Sequence, residues 1–548
     1  MTGKLSTYLA VAALSLHSAA IAYAQTAETM LISNDTPELA LDFATGSQTA
    51  KAQLVTVTGS YVEGVVEASG APVDVILTAT DGTKRRVLQD VVTRGVFRFV
   101  AEADTYDIEL VSPEGTGTAR VTLLRNLPPE EQLPPAEPNV AKDPVSPTLQ
   151  ALLAKGINDA SLYAFWDQRL RDGTPLIEAD SQKDPDMRLV TFLWRGATHN
   201  ARLIGAPADD HVWMQKLAES DIWFASFRVR ADLRMSYQIA PDIPSIPGSQ
   251  REKRIALLST LQADPLNKVP FIPTAQDRFE QQSYLALPNA PVQPSFEQTQ
   301  SNLPLREQRF ESAILGNQRR VWFYTPQEFT PRDPNNVLLI VFDGARYINR
   351  AQKPQVLHNL QRDGRLPAVP TVFVDSLDPE TRWQELACNA EFGDAIASEL
   401  LPIAQQYFGL SPTPDRTVVA GSSLGGLSSA CIALNHSEDI GAFVSMSGSY
   451  WYAPEDYETK GEVYTSQLAK ERSPTSIKAF LSAGTYETSR FADEFGILEG
   501  SEHLASTLQQ LGHPDVTYQT YEGGHDYAIW RGALADGLLA LFGNRVSK

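Results

Sequence analysis

The spacing of apolar and polar residues along the chain changes character twice. After Gln25 and up to about Asn126, apolar and polar positions alternate in short runs, as in Gln53-Leu54-Val55-Thr56-Val57 and from Val96 to Val100, separated by turn signals such as Asp81-Gly82 and Glu114-Gly115. A period of two puts successive side chains on opposite faces, so residues 26–126 are expected to form a small β-sandwich. Prolines then crowd together at 128, 129, 134, 135, 138, 144 and 147, a composition that favours extended backbone and predicts a linker over 127–148. A helical segment opens near Leu149. Strand patterns return in Leu189 to Trp194 and Asp221 to Phe224, which predicts a second β-sandwich domain across 149–297.

From about residue 305 the pattern becomes apolar strands separated by helical stretches, as expected of a parallel sheet flanked by helices across 298–548. The strands are expected at 337–343, 370–375, 417–421, 442–447, 478–483 and 516–521. No internal repeat stands out.

The first residues read differently. Lys4 precedes an apolar, small-residue stretch from about Tyr8 to Ile21, and Ala22-Tyr23-Ala24 before Gln25 has the form of a signal peptidase site. Residues 1–24 are therefore expected to be a signal peptide and the protein to be periplasmic or secreted. Export predicts an oxidising compartment, yet only Cys388 and Cys431 are present, and spacing alone does not decide between one disulfide and two buried thiols. Formal net charge is −20, and −21 once Lys4 leaves with the leader, which argues against a nucleic-acid partner or an anionic membrane surface. No later stretch is apolar enough to span a bilayer.

The chemistry gathers in the C-terminal half. Thr417-Val418-Val419-Ala420-Gly421-Ser422-Ser423-Leu424-Gly425-Gly426 is a β-branched strand running through G-x-S-x-G into a small-residue helix. That is the context of a nucleophile elbow, whose sharp turn exposes the serine and needs glycines where side chains would meet neighbouring backbone. Ser423 is the expected nucleophile of an α/β-hydrolase domain. A serine needs a base, and Glu522-Gly523-Gly524-His525-Asp526 directly follows the last expected strand, which makes His525 the candidate, with His513 a loop alternative. The third member should follow the strand at 478–483, where Gly484-Thr485-Tyr486-Glu487 offers Glu487, with Asp493 and Glu494 competing. Oxyanion donors are expected at the backbone N–H of Leu424 and of Ala345, which follows Val341-Phe342-Asp343-Gly344. The sequence carries no C-x-x-C or H-E-x-x-H spacing, so neither a metal nor another cofactor is expected.

On these residues the chain resembles the enterochelin esterases, from about Ser161 to its end. The matching stretches are Phe342-Asp343-Gly344, Glu385 to Phe392, Gly421 to Leu427, Ser447-Gly448-Ser449-Tyr450-Trp451, Gly523-Gly524-His525-Asp526 and Trp530-Arg531-Gly532. Ahead of them, Arg171 to Glu178, Val190 to Arg195 and Asp264-Pro265-Leu266-Asn267 look like that family's N-terminal domain. The resemblance implies an ester or lactone hydrolase acting on the trilactone of a catecholate siderophore, with Ser423, His525 and Glu487 in the triad positions. The family's cytoplasmic members lack the leader, the first β-domain and the linker, so an exported feruloyl or acetyl esterase and a catalytically idle binding module stand as alternatives. A bulky anionic substrate calls for cations, and Arg346, Arg382 and Arg531 lie in or beside the matching motifs. Arg382 could instead pair with Glu385 one helix turn on.

Overall fold

In the computed structural model, residues 30–544 are described apart from 44–47, 113–116, 136, 181, 206, 208–210, 295–302, 456, 458–461, 473–475, 490–494 and 514. The expected signal peptide, the Glu114-Gly115 turn, Asp493 and Glu494 lie outside the described residues.

The alternating N-terminal pattern folds as a sandwich of one five-stranded and one four-stranded sheet. Their inner faces supply a core of Val66, Leu77, Phe97, Phe99, Ile108 and Val121. Residues 127–148 do not form a free spacer. Pro129–Glu131 is a single turn of 3-10 helix, and Val140–Ala141 pairs in parallel with Gln215–Leu217 at the edge of the next sheet. Proline forbids ladder bonds only at its own nitrogen, so a proline-rich stretch can still lend two residues to a sheet edge.

The second sandwich packs a five-stranded sheet on a four-stranded one around Phe192, Trp223, Met235, Tyr237 and Ile239. Helices Pro147–Lys155 and Asp159–Asp172 cover its far side through Leu149, Leu152, Phe165 and Trp166. Each is started by a side-chain cap, Ser146 for the first and an Asn158 capping box for the second.

The C-terminal half is one eight-stranded sheet. In chain order its strands are β1 (Leu305–Ser312), β2 (Asn317–Tyr324), β3 (Leu338–Val341), β4 (Thr371–Val374), β5 (Thr417–Ser422), β6 (Ala442–Met446), β7 (Lys478–Gly484) and β8 (Asp515–Tyr521), arranged β1-β2-β4-β3-β5-β6-β7-β8. The six strands from β3 to β8 are parallel, while β1 and β2 form an antiparallel hairpin at one edge. Both faces are buried: Val419 points into one helical layer, Val418 and Ala420 into the other. This is an α/β-hydrolase sheet, and the ends of its parallel strands carry the loops discussed below.

The first sandwich is docked on both other parts. Asp90 takes both terminal nitrogens of Arg320 on β2, at 2.5 and 2.6 Å, and Arg320 also reaches Asp375 at 2.7 Å. Against the second sandwich, Arg86 Nη2 donates to Glu280 at 2.9 Å and Tyr61 packs on Ile246 and Ala256.

Candidate functional site

Between β5 and α1 (Leu424–Asn435), Ser423 adopts φ 58° and ψ −124°, a strained conformation that turns its side chain away from both elements. A Cβ on Gly421 would stand 2.6 Å from the Gly425 carbonyl carbon, so the strand and helix can approach this closely only with glycine. The N–H of Leu424 opens α1, where the first N–H groups have no acceptor within the helix and point toward the serine's end of the sheet. Cys388 and Cys431 are joined in a disulfide with Cα atoms 5.6 Å apart, which ties α1 to the segment before it.

Glu487 and His525 leave the ends of β7 and β8, so Ser423, Glu487 and His525 all follow the C-terminal ends of parallel strands, on one side of the sheet. His525 Nδ1 lies 2.6 Å from Glu487 Oε1. The other carboxylate oxygen accepts from Ser447 Oγ at 2.7 Å and from the Gly484 N–H at 2.6 Å. Ser447 in turn accepts from Trp530 Nε1 at 2.9 Å, and the Trp530 ring stands edge-on to His525 with centroids 4.8 Å apart. Two residues on, Ser449 Oγ is 3.4 Å from Ser423 Oγ. The turn after β6 thus touches the acid with one hydroxyl and the serine with another.

Ala345 sits at the start of the short helix Gly344–Asn349 after β3. A Cβ on Gly344 would meet the Val374 nitrogen at 2.7 Å, so this loop too depends on glycine. Asp343, left-handed at φ 56°, is gripped by Arg382 at 2.6 and 2.7 Å and by Ser376 Oγ at 2.7 Å. Burial pushes the Asp343 carboxyl up, but Arg382, Arg346 and Ser376 outweigh it and hold the group below its ordinary value.

A cavity of about 700 Å³ opens beside His525 and Glu487. Its other wall is the second sandwich, which contributes Met235, Ser236 and Gln238 from strand Arg234–Pro241. That strand is fastened to the histidine loop: Ser236 donates from both Oγ, at 2.8 Å, and its backbone N–H to Asp526, and the Arg234 N–H donates to Glu522 O at 3.1 Å. Burial raises the pKa of Asp526 despite these donors. At the rim, half-exposed Trp451 and Trp383 lie with centroids 6.2 Å apart, a ledge suited to flat apolar groups.

Three expected substrate cations fare differently. Arg382 is spent on Asp343, across 39 residues of sequence, rather than on substrate or on Glu385, which is held by Arg319 instead. Arg531 is buried between Phe271 and Tyr284 and donates to Gln293 Oε1 at 2.9 Å, so it is an interdomain packing residue and not a substrate contact. Arg346 remains exposed. The His513 alternative is buried near Ile477, whose N–H is 3.2 Å from its Nδ1. Sequence reading missed Ser236, Gln238 and Gln282 as cavity residues; no local motif marks them, whereas Trp451 already stood in a matched stretch.

The sheet, the elbow and the loops at its edge define a carboxylic ester hydrolase of the α/β-hydrolase class. Residues 312–541 match the family model named Esterase, and residues 189–296 match the model described as enterochelin esterase, N-terminal. The iron(III) enterobactin esterase of Dickeya dadantii is 31% identical over 410 residues, covering 68% of this chain and 91% of its own length. The iron(III) salmochelin esterase of Escherichia coli O6:H1 is 31% identical over 420 residues, covering 72% and 97%. The chain belongs to the enterochelin esterase family. A crystal structure of the Shigella flexneri enterobactin esterase, determined in the presence of enterobactin, superposes with a TM-score of 0.57 at 29% identity, over 69% of this chain and 97% of that one. Both family models begin beyond the first sandwich.

Proposed function

We propose that this protein is a serine esterase that opens the ester bonds of a catecholate trilactone siderophore, with Ser423 as nucleophile, His525 as base and Glu487 as the acid that orients it. The observation that carries the reading is the 2.6 Å contact between His525 Nδ1 and Glu487. With Nδ1–H donating to the carboxylate, Nε2 is left as the acceptor that takes the Ser423 proton while Oγ bonds to the ester carbonyl carbon. The Leu424 and Ala345 N–H groups are assigned to the resulting oxyanion, where one such donor is worth about 2.7–4 kcal/mol. Collapse breaks the ester C–O bond and His525 returns the proton to the leaving alkoxide. Water then repeats the sequence on the acyl-enzyme. Of Arg346, Arg382 and Arg531, exposed Arg346 is the cation left available to the anionic substrate.

The substrate class rests on relatives named for enterobactin and salmochelin. The test is hydrolysis of a catecholate trilactone, with and without iron, beside p-nitrophenyl acetate and a feruloyl ester, by the wild type, Ser423→Ala and His525→Ala. Trilactone turnover abolished in both variants is expected. Turnover of the simple esters alone would keep the serine chemistry and reassign the substrate.

We also propose export to the periplasm or beyond, supported by the leader-like first 24 residues and by the Cys388–Cys431 disulfide. N-terminal sequencing of the protein from fractionated cells is expected to begin at Gln25; an intact Met1 in the cytoplasmic fraction would sink it.

A further inference from the structure

A second cavity, of about 450 Å³, lies where the three parts of the chain meet. Arg85 and Leu88 enter it from the first sandwich, Phe279 from the second, and Arg350 from the end of the short helix that starts at Gly344. Its volume falls in the range of small-molecule sites, about 300–1,000 Å³. Gln238 and Gln282 line both this chamber and the cavity beside His525 and Glu487, so the two spaces adjoin across a pair of side chains.

Charge distinguishes the chamber. Two of its arginines have carboxylate partners: Arg86 is held by Glu280 at 2.9 Å and Arg98 by Glu63 at 2.6 Å. Two do not. Among the described residues the Arg85 side chain donates only to a backbone carbonyl, Ser259 O, at 3.2 Å, its guanidinium lies 3.5 Å from the Phe279 ring centroid, and Asp277 and Glu102 attract it from a distance. Among the described residues the Arg350 guanidinium has no hydrogen bond, ion pair or ring contact, although Tyr527, Asp526 and Glu280 attract it from a distance and Arg346 repels it. Burial pulls Arg350 below its ordinary value and Arg85 down to about 10. Half-buried cations whose carboxylates act only from a distance, with no direct ion pair among the described residues, are costly to hold. An anion from outside would supply the direct partner, and the walls formed by Leu88, Phe279 and the aliphatic stems suit one carried on a flat apolar ring.

We propose that the first sandwich, which lies ahead of both matched family regions, completes a second substrate subsite: the chamber holds an anionic aromatic arm of the ester substrate while another arm is cleaved at Ser423. The proposal rests on the trilactone reading above. It gives the additional domain a role in recognition, since Arg85 and Leu88 form part of the chamber wall.

The test uses full-length protein whose Ser423 has been blocked with an organophosphonate, titrated with 2,3-dihydroxybenzoate as an aromatic anion. Wild type, Arg350→Gln and Arg350→Lys are compared, and circular dichroism checks that each is folded. The expected result is saturable binding to the wild type, at least fivefold weaker binding to Arg350→Gln, and an intermediate affinity for Arg350→Lys. In parallel, the unblocked Arg350→Gln variant should lose at least fivefold in kcat/KM for the trilactone relative to p-nitrophenyl acetate. No binding to the wild type, or equal affinities for all three proteins, overturns the subsite even if the trilactone is cleaved. Binding that depends on Arg350 in an enzyme that leaves the trilactone intact keeps the chamber as an aromatic-anion site and discards the siderophore reading instead.

Discussion

Ser447 stands between Glu487 and Trp530, donating to the carboxylate at 2.7 Å and accepting from the indole N–H at 2.9 Å. The acid therefore has its orientation set on a side away from His525, and the ring beside His525 is set by the same hydroxyl. Ser447→Ala removes one of three donors to Glu487 and strands a buried indole N–H, which costs about 1–3 kcal/mol. Because Ser447 contacts the acid rather than the cavity, the expected loss is in kcat, about tenfold for about 1.4 kcal/mol, with KM little changed. Steady-state kinetics on p-nitrophenyl acetate, with the melting temperature taken alongside, checks this; an unchanged kcat would mean that Gly484 and His525 hold the carboxylate unaided.

Lys353 predicts an unusual pH dependence of stability. Burial, with Arg531 adding repulsion, brings its pKa from 10.5 to about 7, and its ammonium donates to the Arg531 carbonyl. Below about pH 7 both folded and unfolded chains carry the proton, and the cost of burying the charge is felt in full. Between about 7 and 10.5 the folded protein releases the proton while the unfolded chain keeps it, so this group raises stability with pH, by up to about 1.4 kcal/mol per unit. Lys353→Met should accordingly stabilise more at pH 6 than at pH 9. Urea midpoints for both proteins at the two pH values measure it, and equal differences would rule it out.

The Asp90 contact predicts how firmly the first sandwich is held. Asp90→Asn leaves Arg320 paired with Asp375 but removes a charged, two-pronged contact between domains, of which charge-assisted bonds contribute about 1.5–3 kcal/mol. The expected outcome is limited proteolysis releasing residues before about 127 faster than from the wild type, while the C-terminal sheet stays intact. Identical digestion patterns would show that Arg86 and Tyr61 suffice for docking.

The disulfide closes a loop spanning 43 positions, for which the chain-entropy estimate is about 4 kcal/mol. Cys388→Ser with Cys431→Ser should lower the urea midpoint, and a reductant should do the same to the wild type only. If reductant moves both proteins equally, the bond contributes nothing.

Local signals in the sequence located the parallel strands and the loops after them. The strand expected at 478–483 is found at Lys478–Gly484 and that at 417–421 at Thr417–Ser422, because fully buried strands read as apolar runs whatever surrounds them. The positions of Ser423, His525 and Glu487 were legible for the same reason, each following such a strand. The hairpin of β1 and β2 was not, since β1 is mostly polar and β2 buries Arg319 and Arg320 against Glu385 and Asp375. Buried pairs look like surface charge in a sequence. Arg382 and Arg531 misled in the same way, because nothing local tells a cation aimed at a ligand from one aimed at a carboxylate or a ring far along the chain. The cavity wall was beyond sequence reading altogether: Ser236 meets the histidine loop, and Gln238 comes to line the same cavity, only once two domains have docked.

Strand Arg234–Pro241 has a property that follows from its pleat. Met235, Tyr237 and Ile239 pack in the core of the second sandwich, Met235 also reaching the cavity wall, whereas Ser236 turns to the histidine loop and Gln238 lies between the two cavities. Gln238 is held within its own domain, its Nε2 donating to the carbonyls of Phe279 and Gln281 at 3.2 and 2.8 Å, whereas Ser236 secures the histidine loop. Exchanging Gln238 would release those two carbonyls and reshape the boundary between the two cavities, while the contacts of Ser423, Glu487 and His525 are made by other residues. In a lineage, substrate range can therefore drift through a strand of the companion domain without any change to the machinery that breaks the bond.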